Sequence, residues 1–342
     1  MNALKMAIFA LPAAGYHVVQ LVRAKAYEWG LLTSRAAPVP VISVGNLLMG
    51  GSGKTPFVIA LAETLQQNGM KPAVVSRGYR GSNQENYLVV GEGKGRGPTV
   101  SPLVCGDEPY LIAKRLPKIP VVIGRKRIHP ANAAHKLFGC DVIVLDDGFQ
   151  HLPLKREVDI VLLNATEDRM FPLGRLREPL SAIERANVVV LVEIDEIPAA
   201  VSGYVQCENV FRCRVVPAEF LGRNGAKHDL RSCAGRCVAL VSAIANPHRF
   251  RKTVESLGCS VVDHFVFPDH YVFTDEDLRR ILDRAGDNPV VVTEKDWVKL
   301  PEWFKNLEGI MALRITMVID DQERFLRRLN LLMSARGAQG AS

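Results

Sequence analysis

The 342-residue chain reads as an α/β protein built on a mostly parallel sheet, and three observations predict that class. Short runs rich in valine and isoleucine recur along it, among them Pro72 to Ser76, Val158 to Leu163 and Val188 to Val192. Each is nearly continuously apolar, as a strand buried on both faces must be. Segments with helical spacing alternate with these runs, so successive strands are joined by crossovers. The third observation is Val41-Ile-Ser-Val-Gly-Asn-Leu-Leu-Met-Gly-Gly-Ser-Gly-Lys-Thr55, an apolar strand that enters a glycine-rich turn and then a helix.

That turn predicts a P-loop NTPase-like domain. Backbone without Cβ atoms can wrap around phosphate oxygens, Lys54 can reach the β- and γ-phosphates, and the Thr55 hydroxyl can ligate Mg2+. The helix from Phe57 to Gln67 points its positive end at the same anion. The expected ATP-binding stretch is Leu48, Met49, Gly50, Gly51, Ser52, Gly53, Lys54 and Thr55. It matches G-x-x-x-x-G-K-[ST] at its end, while Leu48 stands where the general pattern has glycine.

Before this domain lies a segment, residues 1–35, that predicts a membrane-interface helix. Between Lys5 and Arg23 are 17 uncharged residues, interrupted by Pro12, Gly15, His17 and Gln20, and followed by a basic and aromatic flank of Arg23, Lys25, Tyr27 and Trp29. The run is short of the roughly 20 apolar residues that cross a bilayer, and no cleavage site follows it. A buried core helix and a short span are the alternatives the residues leave open. Ala36 to Pro40 form a proline-broken linker into the first strand.

The P-loop domain is expected over 36–205, with further strands at Pro120 to Ile123 and Asp141 to Leu145 and a mobile loop at Gly91 to Gly97. A hairpin-like connector follows at 206–232, where Val-Phe-Arg-Cys-Arg-Val-Val alternates. A second, smaller α/β domain takes 233–333, with strands Cys237 to Ser242, Val261 to Phe267 and Val290 to Thr293 and a last helix from Asp321 to Met333; residues 334–342 read as a flexible tail. With 48% hydrophobic residues the chain is globular, and its net charge of +7 favours an anionic partner without naming one. Its seven cysteines lack metal-ligand spacing, which fits a reduced compartment.

Chemistry-bearing residues fall after the strands. Asp141-Val-Ile-Val-Leu-Asp-Asp-Gly-Phe-Gln-His151 sets Asp146 and Asp147 at a strand's carboxyl end, where P-loop proteins keep a Mg2+-directed acid, with Gln150 and His151 beyond. Gly106-Asp-Glu-Pro109 starts a helix and offers Asp107 and Glu108 either as helix-start residues or as a base and a metal ligand. Ser76-Arg-Gly-Tyr-Arg-Gly81 supplies Arg77, and Arg175-Leu-Arg-Glu-Pro179 supplies Arg177 and Glu178, as candidate substrate contacts. Pro268-Asp-His270 and Thr293-Glu-Lys-Asp296 follow strands of the second domain. The latter is close to the guanine-reading [NT]-K-x-D, but its lysine is one place late, which argues against GTP.

Taken in order, these segments closely resemble the tetraacyldisaccharide 4′-kinase family of lipid A biosynthesis, over nearly the whole chain. The resemblance implies ATP and Mg2+ as cofactors, lipid A disaccharide 1-phosphate as substrate, lipid IVA as product, and a place on the cytoplasmic face of the bacterial inner membrane, with no nucleic acid. It implies that Lys54 and Thr55 serve the phosphate cradle and that Asp146, with Thr55 and Glu108, lies at the metal. It also implies that Asp107 and His270 activate the sugar hydroxyl, and that Asp147, beside Asp146, and Lys54 belong to the catalytic residues. A membrane-bound switch ATPase is the rival P-loop reading, and Met49 occupies the place of that class's signature lysine.

Overall fold

The computed structural model of the chain describes residues 3–51, 53–79, 81–164 and 169–339. Ser52, expected in the phosphate cradle, lies outside them. By proximity of Cα atoms the chain divides into two units, Met1–Arg214 with Met317–Ser342, and Val215–Thr316.

The first unit begins with α1 (Ala3–Glu28), a single 26-residue helix that contains Pro12. A parallel sheet follows, whose strands are β1 (Val41–Asn46), β2 (Pro72–Ser76), β3 (Leu88–Glu92), β4 (Pro120–Ile123), β5 (Val142–Asp146), β6 (Val158–Leu163), β7 (Val188–Val192) and the start of β8 (Val210–Leu221). Their spatial order is β3-β4-β2-β5-β1-β6-β7-β8, with only β3 antiparallel to its neighbour. Strands β1, β2, β5, β6 and β7 are buried at every position, which is why their sequences are mostly apolar, and the few polar residues in them, Ser43, Asn46, Ser76, Asp146 and Asp159, are buried too. The helices that cross over them are α2 (Lys54–Gln67), the one-turn α3 (Pro102–Cys105), α4 (Asp107–Arg115), α5 (Ile128–Phe138) and α6 (Ala199–Ser202). Because β1 pairs with β5 on one side and β6 on the other, the chain reverses its winding there, and ligands of such sheets bind at the carboxyl ends beside that reversal.

The second unit carries the rest of β8, whose Phe220 and Leu221 pair antiparallel with β9 (Lys227–His228), while the start of the alternating stretch pairs parallel with β7. Its parallel strands run in the order β11 (Ser260–Val266), β10 (Cys237–Ser242), β12 (Val290–Thr293) and β13 (Ile310–Ile319). Around them are α7 (Pro247–Ser256), α8 (Asp275–Ala285), and two single turns, α9 (Glu294–Trp297) and α10 (Glu302–Lys305). Helix α8 starts with a reciprocal cap in which Thr274 and Asp277 each bond the other's backbone.

The last helix, α11 (Gln322–Gln339), departs from the sequence reading twice. It continues past Met333 through Gln339, where a flexible tail was expected from 334. It also packs in the first unit: Phe325, fully buried, meets the edges of Phe57 and Phe211 at 6.3 and 5.2 Å, and the Arg324 guanidinium lies 4.3 Å from the Phe211 ring centre. Burying one such ring contributes about 1.5–3 kcal/mol, enough to bring the helix home. Strands β3 and β13 were not foreseen. The expected mobile loop at Gly91–Gly97 begins inside β3.

Candidate active site

Three neighbouring strands of the first unit, β2, β5 and β1, end in polar residues on one edge of the sheet: Ser76, Asp146 and Asn46. All three side chains are buried, and the polar atoms find one another. Ser76 Oγ donates to Asp146 Oδ2 at 2.8 Å. Asn46 Nδ2 donates to the Leu48 carbonyl at 2.6 Å, while Asn46 Oδ1 accepts from Lys54 Nζ at 3.1 Å. Gln150 Nε2 donates to the Asn46 carbonyl at 2.9 Å. The asparagine therefore ties the turn after β1 to the lysine that follows it.

Gly53, which precedes α2, is left-handed (φ 82°), so the loop can turn into the helix and present Lys54 and Thr55 in its first turn. Lys54 Nζ stands 3.5 Å from Asp147 Oδ1, and Arg177 Nη1 donates to both carboxylate oxygens of Asp147 at 2.9 Å. Burial alone would raise the Asp147 carboxyl, yet Lys54, Arg177 and Arg127 hold it below the usual carboxylate range. Asp147 itself has a left-handed backbone (φ 49°), and strained conformations of this kind gather at functional sites. The tight turn after β5 also needs Gly45: a Cβ there would stand 2.4 Å from Phe149 Cβ.

Asp146 has the opposite balance. Burial, then the negative charges of Glu108 and Asp147, pushes its carboxyl up to about 7 against the pull of Ser76 and Lys54. Crowded carboxylates suit a hard cation, whose charge would relieve the repulsion. Among the described residues no three acidic, histidine or cysteine side chains cage a metal by themselves. Mg2+ beside nucleotides takes one or two carboxylates and completes its shell with phosphate and water, so Asp146, Glu108 and Thr55 fit that role. Asp107 and Glu108 lie in the first turn of α4, at its positive end. The preceding Gly106 (φ 92°) admits no side chain, since a Cβ would be 2.4 Å from the Tyr79 carbonyl oxygen.

Several expected contacts take other forms. Leu48 is buried in the apolar cluster with Phe149, Leu176 and Ile183, and the Met49 N–H donates to the Arg175 carbonyl at 2.8 Å. The Leu48 side chain and the Met49 N–H are thus engaged by the fold. Glu178, expected to touch substrate, is buried and ion-paired with Arg185, whose guanidinium lies 4.7 Å from the Phe149 ring centre. Its partner makes it a brace for the Arg177 segment.

Sequence reasoning missed Arg127. It sits in Arg125-Lys-Arg127, a run that reads as solvated surface, but it is buried, with Nη1 donating to the Arg125 carbonyl at 2.8 Å and Nε without a hydrogen bond. Burial and the Arg77 charge pull its guanidinium down to about 10, while Asp147 and Asp146 pull it up. Arg77, Arg127, Arg156 and Arg23 act on His151, which burial and these four cations push down to about 3. A neutral histidine ringed by arginines makes this flank a place for an anion. Helix α1 and the segment after it reach the same loop: Arg23 Nη2 donates to the Gln150 carbonyl at 3.2 Å, and Ser34 Oγ, beyond the helix, to the Leu152 carbonyl at 2.6 Å.

His270 belongs to the second unit, in the loop after β11. Its backbone is left-handed (φ 63°), and its N–H donates to the Ala243 carbonyl at 3.3 Å. Nε2 of the ring lies 3.2 Å from Lys295 Nζ and 3.9 Å from Asp269 Oδ1. The Thr293–Asp296 tetrad binds no base in the GTPase manner: Thr293 Oγ1 and Asp296 cap each other at the start of α9, and Asp296 is fully buried against Lys299.

A family model described as tetraacyldisaccharide-1-P 4′-kinase matches residues 6–334. The tetraacyldisaccharide 4′-kinase of Syntrophus aciditrophicus is 37% identical, over 94% of this chain and 91% of that protein. Its counterpart from Desulfatibacillum aliphaticivorans is 34% identical, over 93% and 90%. The crystal structure of LpxK from Aquifex aeolicus in complex with ATP superposes with a TM-score of 0.79 at 32% identity, covering 96% of this chain and 99% of that one.

Proposed function

This chain belongs to the tetraacyldisaccharide-1-P 4′-kinase family, and from that premise we propose how its residues divide the reaction. It is an ATP-dependent phosphotransferase of lipid A biosynthesis, acting on the 4′-hydroxyl of lipid A disaccharide 1-phosphate. The observation that carries the assignment of roles is the meeting of Lys54, Asp146, Asp147 and Arg177 at the carboxyl ends of β1 and β5.

Phosphoryl transfer asks a protein to position groups and stabilise charge. In this reading the backbone of Gly50, Gly51 and Gly53 surrounds the phosphates, and Lys54 follows the charge that develops on the γ-phosphoryl oxygens. Mg2+, held by Thr55, Asp146 and Glu108, would neutralise the β- and γ-phosphates. Asp147, paired with Lys54 and Arg177, keeps both cations extended toward the anion before it arrives. Asp107 takes the proton of the sugar hydroxyl, a poor nucleophile at neutral pH, and His270 is assigned to the same activation. Arg77, Gln150 and His151 belong to the substrate flank.

A multiply acylated sugar stays in its bilayer, so the enzyme works at that surface. Helix α1 supports this: Val18, Val19, Leu21 and Val22 are exposed along it, with Trp29 and Leu31 exposed beyond, and Arg23 and Lys25 flank them. Among the described residues no helix is long and apolar enough to cross a membrane. We place the protein on the cytoplasmic face of the inner membrane, bound through α1.

The test pairs two assays on the full chain. Transfer of labelled γ-phosphate to lipid A disaccharide 1-phosphate is expected in the wild type, and its absence refutes the activity. Val18→Asp with Val22→Asp is expected to lose sedimentation with anionic vesicles, and unchanged sedimentation refutes the surface helix.

A further inference from the structure

Within the second unit, two side chains of the Thr293-Glu-Lys-Asp296 tetrad are linked to His270, Lys295 directly and Asp296 through Ala243. Thr293 caps the single turn of α9, its hydroxyl donating to Asp296 Oδ2 at 2.7 Å and accepting from the Asp296 N–H at 3.1 Å. That cap holds Asp296 so that Oδ2 also accepts from the Ala243 N–H at 2.9 Å. Ala243 in turn accepts from the His270 N–H. A buried carboxylate thus sets the backbone of a histidine in a conformation that non-glycine residues rarely adopt. Lys295, next in the same turn, reaches Asp269 Oδ1 at 3.3 Å and His270 Nε2 at 3.2 Å.

The distances decide which ring nitrogen carries the proton. Lysine ammonium has three donors and no acceptor, so at 3.2 Å the Nε2 atom must accept. Asp269 Oδ1 is 3.9 Å from Nε2, beyond hydrogen-bond range. We propose that Lys295 and Asp296 form a clamp on His270, with Lys295 a positioning residue that holds the imidazole in the Nδ1–H tautomer. Nδ1–H is then the donor that His270 offers to a carboxylate, and the tetrad fixes both its proton and its direction. Which nitrogen of a histidine is protonated is set by the bond the other one makes. This proposal rests on the assignment of His270 to hydroxyl activation only for its effect on turnover.

The experiment records long-range proton–nitrogen spectra of the full-length protein labelled with 15N-histidine in detergent micelles, with His270 assigned by its loss in His270→Gln. The wild type is expected to show protonated Nδ1 and unprotonated Nε2. Lys295→Met is expected to lose this single-tautomer pattern, and Lys295→Arg to keep it. In parallel, kcat of Lys295→Met is expected to fall about tenfold or more with KM for ATP unchanged, the rate equivalent of one hydrogen bond to a charged group. Lys295→Arg should recover most of that loss. A protonated Nε2 in the wild type overturns the proposal, whether or not the methionine variant folds. An unchanged tautomer in a folded Lys295→Met does so too. Wild-type turnover in His270→Gln would instead remove the catalytic reading of the histidine, and the spectra would still judge the clamp.

Discussion

The two α/β units put acidic side chains at the carboxyl ends of their strands in opposite electrostatic states. In the second unit every such acid has an opposite charge at hand: Asp296 with Lys299 at 2.8 Å, Asp269 with Lys295, and Glu294 with Arg314. In the first unit Asp146 stands among Glu108 and Asp147, and its chief helper is the neutral Ser76 hydroxyl. The paired acids hold a loop in place. The crowded one is a poor stabiliser, because the pull of Lys54 and Ser76 does not offset its burial and the charges of Glu108 and Asp147, and that imbalance fits the metal role proposed for it.

Substitutions can break this contrast, and the largest effect is expected at Asp296. Asp296→Ala strips Lys299, itself buried, of its partner and leaves the Ala243 N–H unmatched. The cost should be about 3–5 kcal/mol, read from urea unfolding of the second unit. A loss under 1 kcal/mol would mean that the pair does not hold the loop. Lys54→Ala acts on the other side of the contrast. It should lower kcat by about 100-fold or more while the fold persists, since the lost charge stabilises the transition state. Steady-state kinetics with near-normal turnover would sink the cradle assignment.

Smaller effects sharpen the comparison. Asp146→Asn keeps an acceptor for Ser76 and removes the repulsion with Glu108 and Asp147. The ligand-free protein should gain about 1 kcal/mol in thermal stability while losing turnover, the opposition expected of a functional acid. A destabilised variant would place Asp146 with the structural acids. The smallest effect concerns His151. Its folded pKa, about 3, lies below the unfolded value near 6.5, so the folded form excludes a proton that the unfolded chain binds. Its contribution is therefore complete above pH 6.5 and declines as pH falls toward 3. By pH 5 the loss should be about 1 kcal/mol after allowance for partial exposure, and His151→Gln should flatten that part of the melting profile.

What could be read from sequence followed from local rules. Mostly apolar, valine-rich runs marked β2, β6 and β7 because burial on both faces leaves few polar positions, and Gly53-Lys54-Thr55 marked the start of α2 because a left-handed glycine admits the turn into it. β13 escaped because its ten residues mix buried and half-exposed positions without a regular period, with Arg314 in the middle reaching Glu294 and Glu219. Arg127 escaped for a related reason: a basic tripeptide looks solvated until tertiary packing buries one member. Glu178 was legible as a charged residue near the site, but not its pairing with Arg185. Helix α11 shows the limit for domain division. It comes after the whole second unit in sequence, whereas Phe325 finds its ring partners in Phe57 and Phe211 of the first.

That return of the chain has a consequence for biogenesis. The second unit is one continuous stretch, Val215–Thr316, interposed in a first unit that closes only with residues supplied after it. On a ribosome, synthesis at about 5–20 residues per second delivers every element of the second unit before the ring of Phe325 exists. The nucleotide-binding half, begun first, is finished last. Until then Phe57 and Phe211 lack their cover, which makes the nascent first unit the natural client of holding chaperones. A chain truncated before Gln322 should fail there, while its inserted half folds.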